Sequence, residues 1–277
     1  MPPHGYRTAE VPLPGTAAVR IVLRLLIPDQ APPPGGFPVL YALDGNAAFQ
    51  DIDAPVRARC AEGPGAVLVA LGAEEPARFA RLERTRDYTP PDAAGAPVLD
   101  PHGRPAGGAA AFEALLPDLV ARAEALAPVN PARRFLWGHS YGGLFVLRHA
   151  LGQGPSPFAG AIAASPALWW DHQRFLTTLK AQLESGARPR IPVQFHTGGA
   201  EKARATRSLK PEARAFMEMR DALPETALPE LACAFRRAGA SDGMTVFPGL
   251  SHGETFSRSI RESWRALALD EGGFPGP

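Results

Sequence analysis

Cysteine is nearly missing: Cys60 and Cys233 are the two present in 277 residues. That excludes a disulfide scaffold and a thiolate zinc site. Charge of one sign is missing as well, since 29 Lys+Arg stand against 28 Asp+Glu for a formal charge of +1. Nucleic acid and acidic membrane surfaces select a basic excess, so neither is expected as the main partner. No stretch approaches 18 uninterrupted apolar residues, and no membrane span is expected. The opening Met1-Pro-Pro-His-Gly-Tyr-Arg7 lacks the apolar run of a signal peptide. These absences lead to the expectation of a cytoplasmic protein with one domain over residues 1–277. A chain of this size buries roughly 75% of its unfolded surface and needs no staples.

What is there is an alternation of strand-length and helix-length patterns. Val19–Ile27, Phe37–Leu43, Ala66–Leu71, Arg134–Trp137, Ala159–Ala164, Pro192–Thr197 and Met244–Phe247 read as strands. Several are almost continuously apolar, the mark of strands covered on both faces of a parallel sheet. Helical periods fill Ala110–Ala127, Gly142–Leu151, Asp171–Glu184, Leu209–Ala222, Leu228–Ala238 and Thr255–Leu269. The expected class is therefore α/β, with a mostly parallel sheet and helices on both faces. Between them, Thr89–Gly108 is dominated by Pro, Gly, Ala and Asp with no apolar period. It reads as a long flexible surface loop, either a flap over a cleft or an insertion without a task.

The strongest chemical signal is Gly138-His139-Ser140-Tyr141-Gly142, directly after Phe135-Leu136-Trp137 and directly before a helical segment. G-x-S-x-G between strand and helix is a nucleophile elbow. A serine there sits on a tight turn at a helix N-terminus, where free N–H groups favour developing negative charge. Flanking glycines keep Cβ atoms out of the turn. Ser140 is the expected nucleophile.

A serine hydroxyl needs a base, and among seven histidines His252 stands apart. It lies in a loop between the last strand and the final helix, bracketed by Gly249 and Gly253. An acid is expected between serine and histidine in chain order. Asp171, Glu184, Glu201, Glu212, Glu218, Asp221, Glu225, Glu230 and Asp242 all qualify by position. Glu201 is preferred because Gly198-Gly199-Ala200 carries it beyond the carboxyl end of the penultimate strand; the competing reading is a helix-start glutamate complementing the dipole. An oxyanion hole needs two convergent N–H donors. The amide of Tyr141 supplies one, and the turn Asp44-Gly45-Asn46 supplies the other, with Asn46 preferred and Gly45 next. The glycine there is read as a place where backbone approaches substrate.

FPVLYALDGNAAF (37–49), RTRDYTP (84–90), GHSYGGLF (138–145), SPALWW (165–170) and GLSHGETF (249–256) follow in that order. Together they resemble the esterase-D-type α/β-hydrolases, and among them the bacterial siderophore esterases that hydrolyse ferric enterobactin and related catecholate trilactones. The resemblance covers most of the chain, roughly Pro38 to Phe256. It implies Ser140 as nucleophile, His252 as base and oxyanion donors near Asn46 and Tyr141. Some members of that group work with a serine–histidine pair, which leaves Glu201 open. It also implies a small-molecule ester substrate and no metal or organic cofactor, any iron being part of the substrate.

Arg78, Arg81, Arg84 and Arg86 fall close together before the long loop. A ferric tris-catecholate is an anion that guanidinium groups suit, which makes Arg78 and Arg81 candidate substrate contacts. The competing reading is a solvated face, with Arg84 holding the Asp87–Pro90 turn. Four functions stand at this level: a siderophore esterase, a general carboxylesterase or thioesterase, an acyltransferase, and a non-catalytic binding protein of the same fold. Retention of both Ser140 and His252 weighs against the last.

Overall fold

The computed structural model describes residues 5–16, 20–92, 94–96, 98–201, 211–241 and 243–272. Strands β1 (Tyr6–Pro14), β2 (Arg20–Pro28), β3 (Phe37–Ala42) and β4 (Val67–Ala73) come first. A small hairpin, β5 (Val98–Leu99) and β6 (Pro105–Ala106), follows. Then come β7 (Val129–His139), β8 (Gly160–Ala164), β9 (Val193–Gly198) and β10 (Met244–Phe247). All but the hairpin join one sheet in the order β1-β2-β4-β3-β7-β8-β9-β10. β2 runs antiparallel to β1 and β4, and every other neighbouring pair in that sheet is parallel. An antiparallel start, an exchange of β3 with β4 and a long parallel run make this the α/β-hydrolase fold.

The helices are α1 (Gly45–Asp51), α2 (Ala54–Cys60), α3 (Arg81–Tyr88), α4 (Ala109–Glu124), α5 (Tyr141–Ala150), α6 (Arg174–Glu184), α7 (Pro211–Asp221), α8 (Ala227–Arg237) and α9 (His252–Leu269). They cover both faces of the sheet, which is why the central strands are apolar without interruption. Along β3, Val39 and Tyr41 enter one core while Leu40 and Ala42 enter the other. The first core also holds Phe112 and Leu116 of α4 and Leu144 and Phe145 of α5. The second is closed by Phe256, Ile260 and Trp264 of α9, packed against Leu68, Trp137 and Ile162. Residues two apart on a strand thus serve the same layer.

Four expectations change. β1 stands outside the expected strands: its side chains mostly alternate between covered and exposed, so it has no apolar run, and it pairs as the sheet's antiparallel edge. The short helices α1, α2 and α3 stand outside the expected helices as well, being seven or eight residues long and too brief for a period to register. The 89–108 segment is not a structureless loop. It carries the β5–β6 hairpin, and its ends are tied by Gly107 N–H to Thr89 Oγ1 at 2.9 Å and Ala109 N–H to the Thr89 carbonyl at 3.1 Å. Finally, His252 is no loop residue but the first residue of α9. His4, Val19, residues 209–210 of the expected helix and Asp242 lie outside the described residues. Among the described residues no helix is long and apolar enough to cross a membrane.

Candidate active site

β7 ends at His139 and α5 begins at Tyr141, which leaves Ser140 alone on the turn with φ 58° and ψ −115°. A serine at positive φ is strained, and such strain persists only where the surroundings over-determine it. Here the Ser140 amide donates to the Ala164 carbonyl at 3.0 Å, while the Ser140 carbonyl accepts from Leu144 at 2.9 Å and Ala167 at 3.0 Å. The glycine requirement is sharpest at Gly138, where a Cβ would lie 2.3 Å from the Gly142 carbonyl oxygen. The Ser140 side chain remains half-buried at the carboxyl edge of the sheet.

Glu201 and His252 are brought to that same edge by two loops that interlock. Beyond β9, the Gly199 amide donates to the Phe247 carbonyl at 2.8 Å and the Ala200 amide to Leu250 at 3.0 Å. A Cβ on Gly198 would stand 2.2 Å from the Leu250 oxygen, so glycine permits this approach. The result is a contact between Glu201 Oε2 and His252 Nδ1 at 3.1 Å. The other carboxylate oxygen, Oε1, accepts from the Gly198 amide at 2.9 Å, from Thr197 Oγ1 at 3.3 Å and from the Ser165 hydroxyl. Burial pushes the Glu201 carboxyl up, but hydrogen bonding and charge from His252, with Ser165 and the Gly198 amide, outweigh it and hold the group below the ordinary carboxylate range. An ionised carboxylate only accepts, so the proton of this contact sits on His252 Nδ1, and in that tautomer Nε2 is the acceptor.

His252 is held from behind as well. Its carbonyl oxygen lies 2.9 Å from His139 Nε2, which therefore donates, and the two rings sit 4.5 Å apart. Burial, the neighbouring His252 and Arg84 push His139 well below the usual histidine range, so it stays neutral beside the elbow. At the start of α9 the Ser251 amide and hydroxyl both donate to Glu254 Oε2, at 2.9 and 2.6 Å.

The oxyanion candidates occupy two helix starts. Tyr141 opens α5, and Gly45 and Asn46 open α1 after Asp44, which adopts a left-handed conformation at φ 52°. First-turn amides lack intrahelical acceptors. The close approach that demands glycine at position 45 is to β4, not to substrate: a Cβ would lie 2.4 Å from the Gly72 nitrogen. The Asn46 side chain is fully engaged, accepting from Arg24 and the Ala73 amide and donating to the carbonyls of Glu75 and Ala77. Only its backbone amide is left for chemistry.

The arginine row does not form a free cationic face. Arg78 makes a two-pronged bond to Asp51 at 2.8 and 2.7 Å, Arg84 one to Asp44 at 2.8 and 3.1 Å, and Arg86 one to Asp87 at 2.7 and 2.8 Å. Arg84 thus anchors the α1 turn, and it is Arg86 that takes Asp87. Arg81 is exposed and carries no ion pair among the described residues. A cleft of about 350 Å³ opens beside Glu201 and His252, walled by Trp169, Leu228, Met244 and Val246; neither Arg78 nor Arg81 lines it. Ser165, Thr197 and His139 join the site without a local signal of their roles. Ser165 opens SPALWW and His139 adjoins the elbow, but nothing local says what either touches. Among the described residues no group of three or more His, Cys, Asp or Glu is arranged to hold a metal ion.

Comparison with known proteins places the chain in a family. The family described as Putative esterase matches residues 18–232. The apo-salmochelin esterase of Escherichia coli O6:H1 (strain CFT073) is 32% identical over 244 residues, 86% of this chain and 71% of that protein. The ferri-bacillibactin esterase BesA of Bacillus subtilis (strain 168) is 37% identical over 153 residues, about half of either chain at 52%. In structure, the siderophore hydrolase EstA from Aspergillus nidulans matches with a TM-score of 0.76 at 22% identity, covering 98% of this chain and 97% of that one. That last likeness speaks for the fold, and the family match together with the Escherichia coli relative speaks for descent. The chain belongs to this esterase family, as an α/β-hydrolase that cleaves carboxylic ester bonds.

Proposed function

We propose that this chain is a single-domain serine esterase that opens the ester bonds of a siderophore trilactone through an acyl-enzyme. The observation that carries the mechanism is the 3.1 Å contact of Glu201 with His252 Nδ1 at the edge of the sheet that also bears Ser140. Ser140 Oγ attacks the ester carbonyl while His252 Nε2 takes its proton. Glu201 holds the ring in that tautomer and offsets the imidazolium charge. The tetrahedral oxyanion is met by the amides of Tyr141 and Asn46, with Gly45 beside the latter. Collapse expels the alcohol, which leaves with the proton from His252. Water then attacks the acyl-enzyme with His252 again as base, releasing the acid and restoring Ser140.

The siderophore substrate is supported by the names of the relatives above, an apo-salmochelin esterase and a ferri-bacillibactin esterase. A general carboxylesterase or thioesterase would use the same residues. Of the two arginines considered for an anionic substrate, Arg81 has the uncommitted guanidinium. A reducing, cytoplasmic setting is supported by an exposed free thiol at Cys233 and an unpaired Cys60.

Ser140→Ala should retain the fold by circular dichroism and lose more than about 10³-fold in kcat on every ester. More than a tenth of the activity remaining would rule out covalent catalysis by this serine. Ferric and iron-free catecholate trilactones should be compared with short p-nitrophenyl esters and S-acyl glutathione. A trilactone kcat/KM that fails to exceed the others would move the assignment to the general esterase.

A further inference from the structure

β8 is followed at once by Ser165, whose φ of 41° lies in the left-handed region. Glycine is the residue that adopts this backbone without penalty, and a side chain kept there calls for a reason. Packing does not supply one, since the Ser165 side chain is a single hydroxymethyl. That side chain is buried, and among the described residues its hydroxyl has one partner, Glu201 Oε1. The backbone at Ser165 is meanwhile fully placed: its amide donates to the His196 carbonyl at 2.8 Å, and two residues on, Ala167 returns to the Ser140 carbonyl at 3.0 Å. Ser165 therefore sits between the strand that delivers Ser140 and the strand that delivers Glu201.

The other donors to Glu201 Oε1 are of a different kind. Thr197 and Gly198 are the last two residues of β9, four and three positions before Glu201. Both tie the carboxylate to the strand that delivers it. Ser165 comes from 36 residues earlier and from a different strand. It alone among the three ties the carboxylate to the end of β8, the strand that pairs directly with the elbow strand β7. A carboxylate gripped on one oxygen from outside its own turn cannot rotate the other oxygen away from His252 Nδ1.

We infer that Ser165 is a positioning residue, which fixes the Glu201 carboxylate against His252 and is retained at a strained backbone position for that hydroxyl. The inference rests on the reading of Glu201 as the acid of the triad. Its chemistry is one hydrogen bond, O–H to ionised carboxylate, and no proton is transferred.

The test is a double-mutant cycle on the full chain, with p-nitrophenyl acetate and a catecholate trilactone as the two substrates. Ser165→Ala should lower kcat by about ten- to a hundredfold, the range of one hydrogen bond to a charged group, with KM within about twofold. Ser165→Gly should show the same loss in kcat although it relaxes the backbone, which keeps the test readable if the alanine variant folds poorly. In a Glu201→Ala background the Ser165→Ala change should cost less than about twofold more, because its effect runs through the missing carboxylate. Losses that multiply in the double variant, or a raised KM with kcat unchanged, would overturn the inference and leave the acid role of Glu201 standing. A Glu201→Ala variant within about tenfold of the parent would instead remove the acid role, and this inference with it.

Discussion

Arg78 and Arg81 are three positions apart and end in opposite chemical states. Arg78 is bound to Asp51, which is itself 8% exposed and also accepts from Ser257, while its carbonyl takes Arg261. This knot clamps the end of α1 to α9, so Arg78→Gln should act on stability. A cost of about 1 kcal/mol is expected, discounted because the Arg78 side chain is 40% exposed. Arg81→Gln should leave Tm unchanged. If Arg81 meets an anionic ferric ester, that change should raise KM for it and flatten its salt dependence, while a neutral p-nitrophenyl ester stays unaffected. Steady-state kinetics at two ionic strengths read both outcomes, and an unmoved KM removes Arg81 from the substrate site. The arginines were legible as a cluster, whereas their partners were not. Asp51 and Asp44 lie 27 and 40 residues from Arg78 and Arg84, beyond any local pattern.

At the scale of the element, α9 does two things at once: Phe256, Ile260 and Trp264 close one core, and its first residue is His252. The start of the helix therefore sets the position of the base. Ser251→Ala removes the hydroxyl that meets Glu254 and should cost about 1 kcal/mol, a Tm lower by about 2–4 °C in a chain of this size. Because His252 is the next residue, kcat should fall as well, and a normal kcat at reduced Tm would separate the cap from the placement of the base. Long elements announced themselves through period and run length. β1 did not, since an edge strand with one exposed face has no continuous run and tolerates Pro12 and Pro14. α1 and α2 are helices because Asp44 turns left-handed before one and Asp53 accepts the Val56 amide at 3.1 Å before the other. Such caps act over three or four residues and leave no periodic trace.

The whole molecule carries its buried histidines neutral. Burial pushes His196 down to about 4, and burial also lowers His139 and His149 below the usual range. The unfolded chain binds protons on these rings near pH 6.5, the folded chain does so only at lower pH, and stability must therefore fall as pH drops through that window. For His196 alone the loss between about pH 6.5 and 4 is roughly 3 kcal/mol. Glu113 extends the decline: burial raises its carboxyl, but His149 and Arg148 outweigh that and bring it down to about 2, so its contribution is lost as pH falls below about 4.5. A Tm series from pH 8 to 4 should show a steady decrease starting near 6.5, and a flat profile above pH 5 would contradict neutral burial of these rings. Taken as a whole, the sequence determined the alternation of strands and helices, the covered parallel sheet, the elbow at Ser140 and the position of His252 after the last strand. All of these are encoded by run length and by backbone sterics within a few residues. Tertiary structure decided which carboxylate meets His252, which hydroxyl grips it and which arginines are neutralised. Those contacts join residues 51, 36, 40 and 27 positions apart, and only the neighbouring of β4 with β3, the strand order β7-β8-β9-β10 and the interlocked loops at the sheet's carboxyl edge bring such distant side chains within bonding distance.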